Sequence, residues 1–294
     1  MKIAPLNVWL MASRPKTLFA AVAPVIIGTA MAFGDNVVHW PSAILAGLCS
    51  VLIQIGTNFA NDFYDFHKGA DNEKRLGPTR VTQAGLVSHS VMKIATILVF
   101  SLAFIAGLYL VYRGGWPILM IGVLSILFGI LYTGGPYPLG YNGLGDIFVL
   151  IFFGFIAVSG TYYVQALHVT REVVIAGLAP GLFSTAILTV NNYRDIENDR
   201  KSGKRTLAVR FGANFAKMEY LFAIIIATLT PPILLYFDPQ RTFVLLSSLT
   251  FLFAIPAIKT VLSQQPGILF NAVLAKTGQL LLIYSLLFAL GWNL

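Results

Sequence analysis

Long apolar runs, separated by short polar segments, fill most of the chain. Nine of them approach the length of about 20 residues that lets a helix cross a bilayer. They cover residues 18–33, 41–60, 91–112, 116–132, 144–163, 172–192, 215–236, 242–262 and 272–292. The pattern predicts an all-α, polytopic membrane protein with nine transmembrane helices.

The segment before the first run is also amphipathic. Trp9 and Leu10 stand close to Arg14 and Lys16, a mixture typical of a helix that lies in the membrane interface. We therefore expect residues 1–17 to form an interfacial helix that leads into the first span.

The composition indicates that few residues remain for a soluble domain outside the spans. The chain is 57% hydrophobic and 11% charged, whereas soluble domains carry about 25% charged residues. We expect one transmembrane domain over residues 1–294 and no large soluble domain.

The net charge of +8 could suggest a nucleic-acid partner, but basic residues also collect in cytoplasmic loops. We expect membrane lipid around the spans and no nucleic acid.

The basic residues fix an orientation for the nine spans. Only Arg113, Arg171 and Arg241 of the 20 Lys and Arg residues fall on the side away from the N-terminus, so the other seventeen fall on the N-terminal side. Positive charge marks the cytoplasmic side. This predicts a plasma-membrane or inner-membrane protein with a cytoplasmic N-terminus and, because nine is odd, a C-terminus on the opposite side.

Two acidic clusters interrupt this apolar chain. Residues 62–73 and 195–199 hold seven of the 12 acidic residues, and they follow the second and sixth spans on the cytoplasmic side. The C-terminal end of a helix repels acids by about 0.3–1 kcal/mol each. A divalent cation bridging the carboxylates would remove this penalty.

The spacing within each cluster places carboxylates on one helical face. Asp195 and Asp199 are four residues apart, and Asp62 and Asp65 follow Asn58 with Asn61 beside them. Magnesium favours one or two carboxylates together with phosphate oxygens of a substrate. The clusters thus predict a magnesium-bridged diphosphate, and the EF-hand alternative lacks the Gly and Glu positions of that loop.

The two clusters are also related by a constant offset. Asn58 aligns with Asn191, Asp62 with Asp195, and Lys68 with Lys201, each 133 residues apart. We interpret this as a weak internal repeat, with halves centred on 58–71 and 191–204. Such repeats often place a binding site at their interface.

Basic residues are interleaved with the acids. For Lys68, Arg80, Lys204 and Arg205 we favour a role beside the diphosphate over simple charge topology, because fixed cations stabilise the charge that develops on a leaving group. The loop after the fourth span has no Lys or Arg but three tyrosines, including Tyr137. A tight turn explains its Gly and Pro residues equally well, although a tyrosine face could stabilise an allylic cation.

These motifs resemble those of the UbiA superfamily of intramembrane aromatic prenyltransferases. Asn61-Asp62-x-x-Asp65 and Asp195-x-x-x-Asp199 look like the two magnesium-diphosphate motifs of that family, after helices two and six. The resemblance covers nearly the whole chain. It implies nine helices around a central cavity, a prenyl diphosphate donor and Mg²⁺ as cofactor.

Finer motifs look like the MenA-type branch, which prenylates 1,4-dihydroxy-2-naphthoate with loss of CO₂ on the route to menaquinone or phylloquinone. They are Arg14-Pro-Lys16-Thr17, Asn61-Asp-Phe-Tyr-Asp-Phe-His-Lys-Gly-Ala-Asp71, Gly77-Pro-Thr-Arg80, Gly160-Thr-Tyr-Tyr-Val-Gln165 and Asn191-Asn-Tyr-Arg-Asp195. The resemblance implies that metal and diphosphate are held by Asn58, Asp62, Asp65, Asp71, Asp195 and Asp199, with the cationic partners Arg14, Lys16, Arg80, Lys204 and Arg205. We expect helical segments near 76–90 and 200–212 to cover the site and exclude water.

Other functions stay open at this point. Prenylation of another aromatic acceptor such as 4-hydroxybenzoate is possible, although the basic residue of the ubiquinone-type pattern is absent from the span-four loop. An ion-coupled secondary transporter would also contain intramembrane acids and an internal repeat. Its coupling acids usually lie near the bilayer midplane, whereas the acids of this chain follow the ends of the spans. A CDP-alcohol phosphotransferase is disfavoured, since its Asp-Gly-x-x-Ala-Arg opening is absent.

Overall fold

The computed structural model of the chain describes residues 4–68 and 76–294. Asp71, one of the predicted metal ligands, lies outside this part. In the described residues the helices are α1 Leu6–Ser13, α2 Leu18–Gly34, α3 Trp40–His67, α4 His89–Gly114, α5 Trp116–Leu131, α6 Gly145–Ala166, α7 Arg171–Arg194, α8 Ile196–Lys201, α9 Leu207–Phe211, α10 Ala213–Phe237, α11 Thr242–Ser263 and α12 Phe270–Trp292.

The all-helical membrane fold is confirmed, with one adjustment to the number of spans. Eight helical segments in the described part of the chain are long and apolar enough to cross a membrane, the first of them comprising α1 and α2 together. The predicted fourth span is α5, whose 16 residues make a rod of about 24 Å, shorter than the hydrocarbon core of about 30 Å. The described residues therefore contain all nine predicted apolar helices, but the fourth falls below the usual spanning length.

The break between α1 and α2 has a local cause. Arg14 ends α1 in the left-handed conformation, with φ 52°, and Pro15 follows in a single 3-10 turn, Pro15–Thr17. A non-glycine residue with positive φ is uncommon and marks a constrained position. The predicted helix before the first span is thus present, and the turn behind it places Arg14 at the end of the bundle that carries the two acidic clusters.

Two of the three basic residues on the far side bind carbonyls at the ends of helices. Arg113 donates to the carbonyls of Val164 and Gln165, at 2.7 and 2.9 Å, near the end of α6. Arg241 donates to Trp292 O of α12 and to Gly34 O of α2, and Arg171 pairs with Glu172. Cations at helix C-termini satisfy orphan carbonyls and oppose the helix dipole, which explains why Arg113 and Arg241 depart from the general charge asymmetry.

Glycines bring α6 and α7 into close contact. The π-helical segment Ile151–Ile156 of α6 crosses α7 at Gly154 and Gly181, and a Cβ built on Gly181 would lie 2.6 Å from Leu150 O and 3.1 Å from the Gly154 Cα. Small residues allow such backbone contact between membrane helices. The crossing positions both helices along the wall of the central cavity.

We expect Gly181→Val to destabilise the folded protein, because backbone atoms obstruct the new side chain and cannot rotate away. Overpacking of this kind costs roughly 1–3 kcal/mol or more. Thermal unfolding in detergent, followed by intrinsic fluorescence, would measure it. Gly47→Ala is the matched control, since its Cβ would meet only Val25 Cγ1, at 3.7 Å. Equal melting temperatures for the two variants would contradict the prediction.

Two segments cover the end of the bundle that carries the two acidic clusters. Residues 76–88, which we name the cap segment, form turns and bends rather than the predicted helix, and α4 begins only at His89. Two residues of the cap segment, Val81 and Val87, pack in an apolar cluster with Val8, Phe59 and Met92. The second segment does contain helices, α8 and α9, as expected near 200–212. The predicted internal repeat stays a prediction.

Candidate active site

One large cavity joins the two acidic motifs to the interior of the bundle. It lies mainly between α2, α3, α4, α5, α6 and α7, and its volume is about 420 Å³, within the usual range for ligand sites. Its end beside the two acidic motifs is polar, and its inner part is apolar. The charged and amide side chains that line the polar end are Arg14, Asn61, Asp65, Arg80, Asn191, Asn192, Asp195, Asn198, Asp199 and Lys204.

The first motif contributes Asp65 from the last turn of α3. Its carboxylate accepts a bond of 2.6 Å from the Arg80 guanidinium of the cap segment and one of 2.7 Å from the Tyr141 hydroxyl. Asp65 and Arg80 are both buried. A buried carboxylate is tolerable only when it is paired and hydrogen-bonded, and this arrangement satisfies both conditions.

The second motif begins where α7 ends. Arg194 donates to both carboxylate oxygens of Asp195, from Nε at 3.0 Å and from Nη2 at 2.5 Å. The same guanidinium reaches Asn191 Oδ1 and Asn271 Oδ1. Planar guanidinium groups suit this bidentate contact. Sequence reasoning counted Arg194 only as a positive-side residue and missed its role as the buried partner of Asp195.

Asp199 stands one turn further on, in α8. Its carboxylate lies 3.5 Å from the Lys204 ammonium, which also lies 4.7 Å from the centroid of the Tyr141 ring. Tyr141 thus contacts Asp65 of the first motif through its hydroxyl, and its ring face contacts Lys204, the partner of Asp199 in the second motif. The sequence pointed to the tyrosines of this loop but selected Tyr137, which is 58% exposed and does not line the cavity.

Tyr132, from the same loop, lines the cavity beside Tyr141. Burial, reinforced by the negative charges of Asp146, Asp65 and Asp199, raises the pKa of its hydroxyl. Loss of the proton would place a further negative charge in an already acidic region. Tyr132 therefore remains a neutral hydrogen-bond donor at the boundary between the polar and apolar parts.

Two predicted residues are buried but support the site from outside the cavity lining. Asn58 donates from Nδ2 to Ser13 O at 2.9 Å and to Thr17 Oγ1 at 3.1 Å, so it holds the turn that presents Arg14. Asp62 accepts bonds from the backbone N–H groups of Val81 and Thr82 in the cap segment.

Three predicted basic residues are exposed and also lie outside the lining. Lys16 belongs to the turn before α2. The Lys68 ammonium donates to Thr133 O at 2.8 Å, and partial burial lowers its pKa although Asp65 opposes the shift. Arg205 donates its backbone N–H to Tyr141 O at 2.6 Å. The structure gives Lys68 and Arg205 contacts that support the Tyr141 loop.

The inner part of the cavity is a long apolar channel. On α5 the lining runs from Ile118 to Gly129, about 16 Å along the helix axis. Phe104 and Leu108 of α4 and Val123 of α5 line the channel and are 45%, 48% and 45% exposed. The part of the channel wall formed by α4 and α5 therefore keeps accessible apolar surface.

Comparison with known proteins agrees with this architecture. A family model described as the UbiA prenyltransferase family matches residues 21–271. The 1,4-dihydroxy-2-naphthoate octaprenyltransferase of Haemophilus influenzae is 36% identical, over 97% of this chain and 96% of the relative, and that of Escherichia coli is 42% identical, over 72% and 70%. A UbiA homolog from Archaeoglobus fulgidus, solved with GPP and Mg²⁺, superposes with a TM-score of 0.71 at 15% identity, covering 97% of this chain and 99% of the homolog. The chain belongs to the UbiA prenyltransferase family.

Proposed function

We propose that this protein transfers a polyprenyl group from a prenyl diphosphate to 1,4-dihydroxy-2-naphthoate, with loss of CO₂ and release of diphosphate. The observation that carries the proposal is the single cavity, which joins two carboxylate motifs and their cations to an apolar channel. Such a cavity complements a molecule with a diphosphate head and a long hydrocarbon tail. The naphthoate acceptor is the substrate named for both bacterial relatives.

The donor set of the polar end fits a magnesium ion. Asp65, Asp195 and Asp199 line it together with Asn61 and Asn198, and carboxylate and amide oxygens suit Mg²⁺. In the described residues no three carboxylate, His or Cys side chains form a preassembled metal cluster. This agrees with an ion held by one or two carboxylates and by the diphosphate itself. When bound, the ion would supply positive charge to the leaving group.

The protein's own cations act on the same group. Arg80 and Lys204 both line the polar end, each paired with a motif carboxylate, at 2.6 and 3.5 Å. As the C–O bond of the donor breaks, negative charge grows on the diphosphate. Cations already fixed in place stabilise it without reorganisation.

The tyrosines lie where the reacting carbon would stand, between the diphosphate end and the tail channel. The Tyr132 hydroxyl can donate to an oxygen of the acceptor, and the Tyr141 ring contributes a negative face to a developing allylic cation. The new C–C bond forms at the carboxylate-bearing carbon of the naphthoate. Loss of CO₂ returns the bonding electrons to the ring, so that carbon has no proton to release.

The proposal also includes the orientation of the protein in the membrane and the exclusion of water from the site. The charge asymmetry supports a cytoplasmic position for the polar end and a plasma or inner membrane as the location. The prenyl tail would enter from the lipid and occupy the channel, while the cap segment would exclude water that could otherwise quench the cation.

An acceptor assay tests the function directly. Membranes expressing this chain, given Mg²⁺ and prenyl diphosphates of increasing length, should prenylate 1,4-dihydroxy-2-naphthoate and release labelled CO₂ from its carboxyl group. Membranes from the same host without the chain provide the background. Prenylation of 4-hydroxybenzoate alone, or transfer that survives complete chelation of divalent ions, would contradict the proposal.

A further inference from the structure

The acidic residue next to Asn61 is directed away from the cavity. Asp62 is buried, with 2% of its surface exposed, and it does not belong to the lining that contains its neighbours Asn61 and Asp65. Its Oδ2 accepts the backbone N–H of Val81 at 3.1 Å, and its Oδ1 accepts that of Thr82 at 3.0 Å. Both carboxylate oxygens therefore hold the cap segment.

The anchored backbone carries a residue of the site. Arg80 directly precedes the two bound N–H groups, and its guanidinium pairs with Asp65 at 2.6 Å. Asp62 lies on α3 three residues before Asp65. The same helix therefore binds the cap backbone through Asp62 and the Arg80 side chain through Asp65. The separation between Arg80 and Asp65 depends on this double attachment.

A second attachment holds the start of the cap segment. Asn271 of α12 donates from Nδ2 to Leu76 O at 2.8 Å, and its Oδ1 accepts from Arg194, the buried partner of Asp195. The cap segment is thus tied to the helices that bear both motifs. Asp62 differs from these ties because it is charged and because, within the part of the chain that the structure describes, both of its bonds go to cap backbone.

We propose that Asp62 is a positioning residue that anchors the cap segment over the diphosphate site, rather than a metal ligand. Hydrogen bonds from backbone N–H groups to a carboxylate are charge-assisted, and both oxygens would have to give them up before Asp62 could turn toward an ion. The proposal rests on the proposed function for its effect on catalysis, but the attachment itself can be tested without substrate.

Hydrogen exchange gives that substrate-free test. In Asp62→Asn the side-chain NH₂ would face a backbone N–H, so at least one bond is lost. Exchange of the Val81 and Thr82 amides should accelerate roughly tenfold or more, the factor for a hydrogen bond to a charged group. Asp65→Asn is the comparison, because it removes the Arg80 partner and leaves both amides bound. Unchanged exchange in Asp62→Asn would overturn the proposal.

The magnesium requirement separates anchoring from metal binding. We expect Asp62→Asn to lower kcat/KM by about tenfold to a hundredfold through misplacement of Arg80, with the same Mg²⁺ concentration for half-maximal rate as the parent protein. Asp65→Asn should raise that concentration. A similar rise in Asp62→Asn would make Asp62 a metal ligand and overturn the assignment.

A second variant removes the hydrogen-bond donor in place of the Asp62 acceptor. Val81→Pro removes one of the two donors and leaves every carboxylate intact, and proline fits the first position of a turn. It should reproduce the faster exchange at Thr82 and the unchanged Mg²⁺ requirement. Parent-like exchange at Thr82 would count against the anchor. Absence of any prenyl transfer by the parent protein would refute the proposed function instead, and leave the exchange result standing.

Discussion

Asp199→Asn should reduce prenyl transfer by roughly a thousandfold while leaving the protein folded. The substitution keeps the shape of the side chain and removes one negative charge from the polar end of the cavity. Metal-ion stabilisation of transition-state charge amounts to several kcal/mol, and a factor of ten in rate corresponds to about 1.4 kcal/mol. Initial rates over a range of Mg²⁺ concentrations would measure the loss.

Asp199 is a sharper choice for this test than Asp195. Asp195 is held by Arg194, whose side chain is fully buried, and breaking a buried pair costs about 3–5 kcal/mol of stability. A loss of activity in that variant could simply reflect unfolding. The Lys204 partner of Asp199 lies 3.5 Å away and keeps 16% of its side-chain surface exposed, so loss of this contact costs less than loss of the contact with the fully buried Arg194.

The matched control stands two residues earlier in the same helix. The Glu197 carboxylate pairs with Arg200 and is 68% exposed, outside the cavity lining. Glu197→Gln removes the same charge from α8 and should retain parent activity, because exposed pairs contribute little. Comparable losses in both variants would indicate a general charge effect at the membrane surface, and an active Asp199→Asn would exclude Asp199 from the metal site.

The sequence predicted the fold well because membrane spans are encoded locally. Each run of apolar residues must be helical to satisfy its own backbone in lipid, so α3 and α7 fall close to the expected positions. The exception is α5, where sixteen residues satisfy the pattern without the usual spanning length. The cap segment was predicted wrongly as a helix because its turns depend on tertiary contacts. They are stabilised by packing against α1, α3 and α4, which no local sequence pattern specifies.

Within the site, the sequence could identify the motifs but could not predict which residue of each motif lines the cavity. Asp62 and Asp65 share a helical face by spacing, yet one contacts cap backbone and the other lines the cavity. The difference arises from where residues 80–82 lie against α3. Likewise Tyr137 and Tyr141 belong to one loop, and only the path of that loop places Tyr141 between Asp65 and Lys204.

Three glycines in the tail channel lead to the second large prediction. Gly107 of α4, Gly122 of α5 and Gly160 of α6 line the cavity, and each lies six or seven residues from the far-side end of its helix. At Gly122 a Cβ would meet nothing within 4 Å, and at Gly107 and Gly160 its nearest neighbours stand 4.0 and 3.7 Å away. Larger side chains at these positions would enter space that the proposed tail occupies.

Gly122→Leu should therefore select against long donors. Its neighbours one turn away, Ile118 and Ile126, also line the channel, so the new side chain projects into the middle of the lining. Displacing about four tail carbons, at about 0.8 kcal/mol each, would lower kcat/KM for an octaprenyl donor by roughly a hundredfold. A geranyl donor, which would end nearer the polar end, should react at the parent rate. Gly47→Leu is the control, because Gly47 lies in α3 outside the lining. Equal losses with short and long donors would place the prenyl tail elsewhere, since only a tail that extends past Gly122 makes the penalty depend on its length.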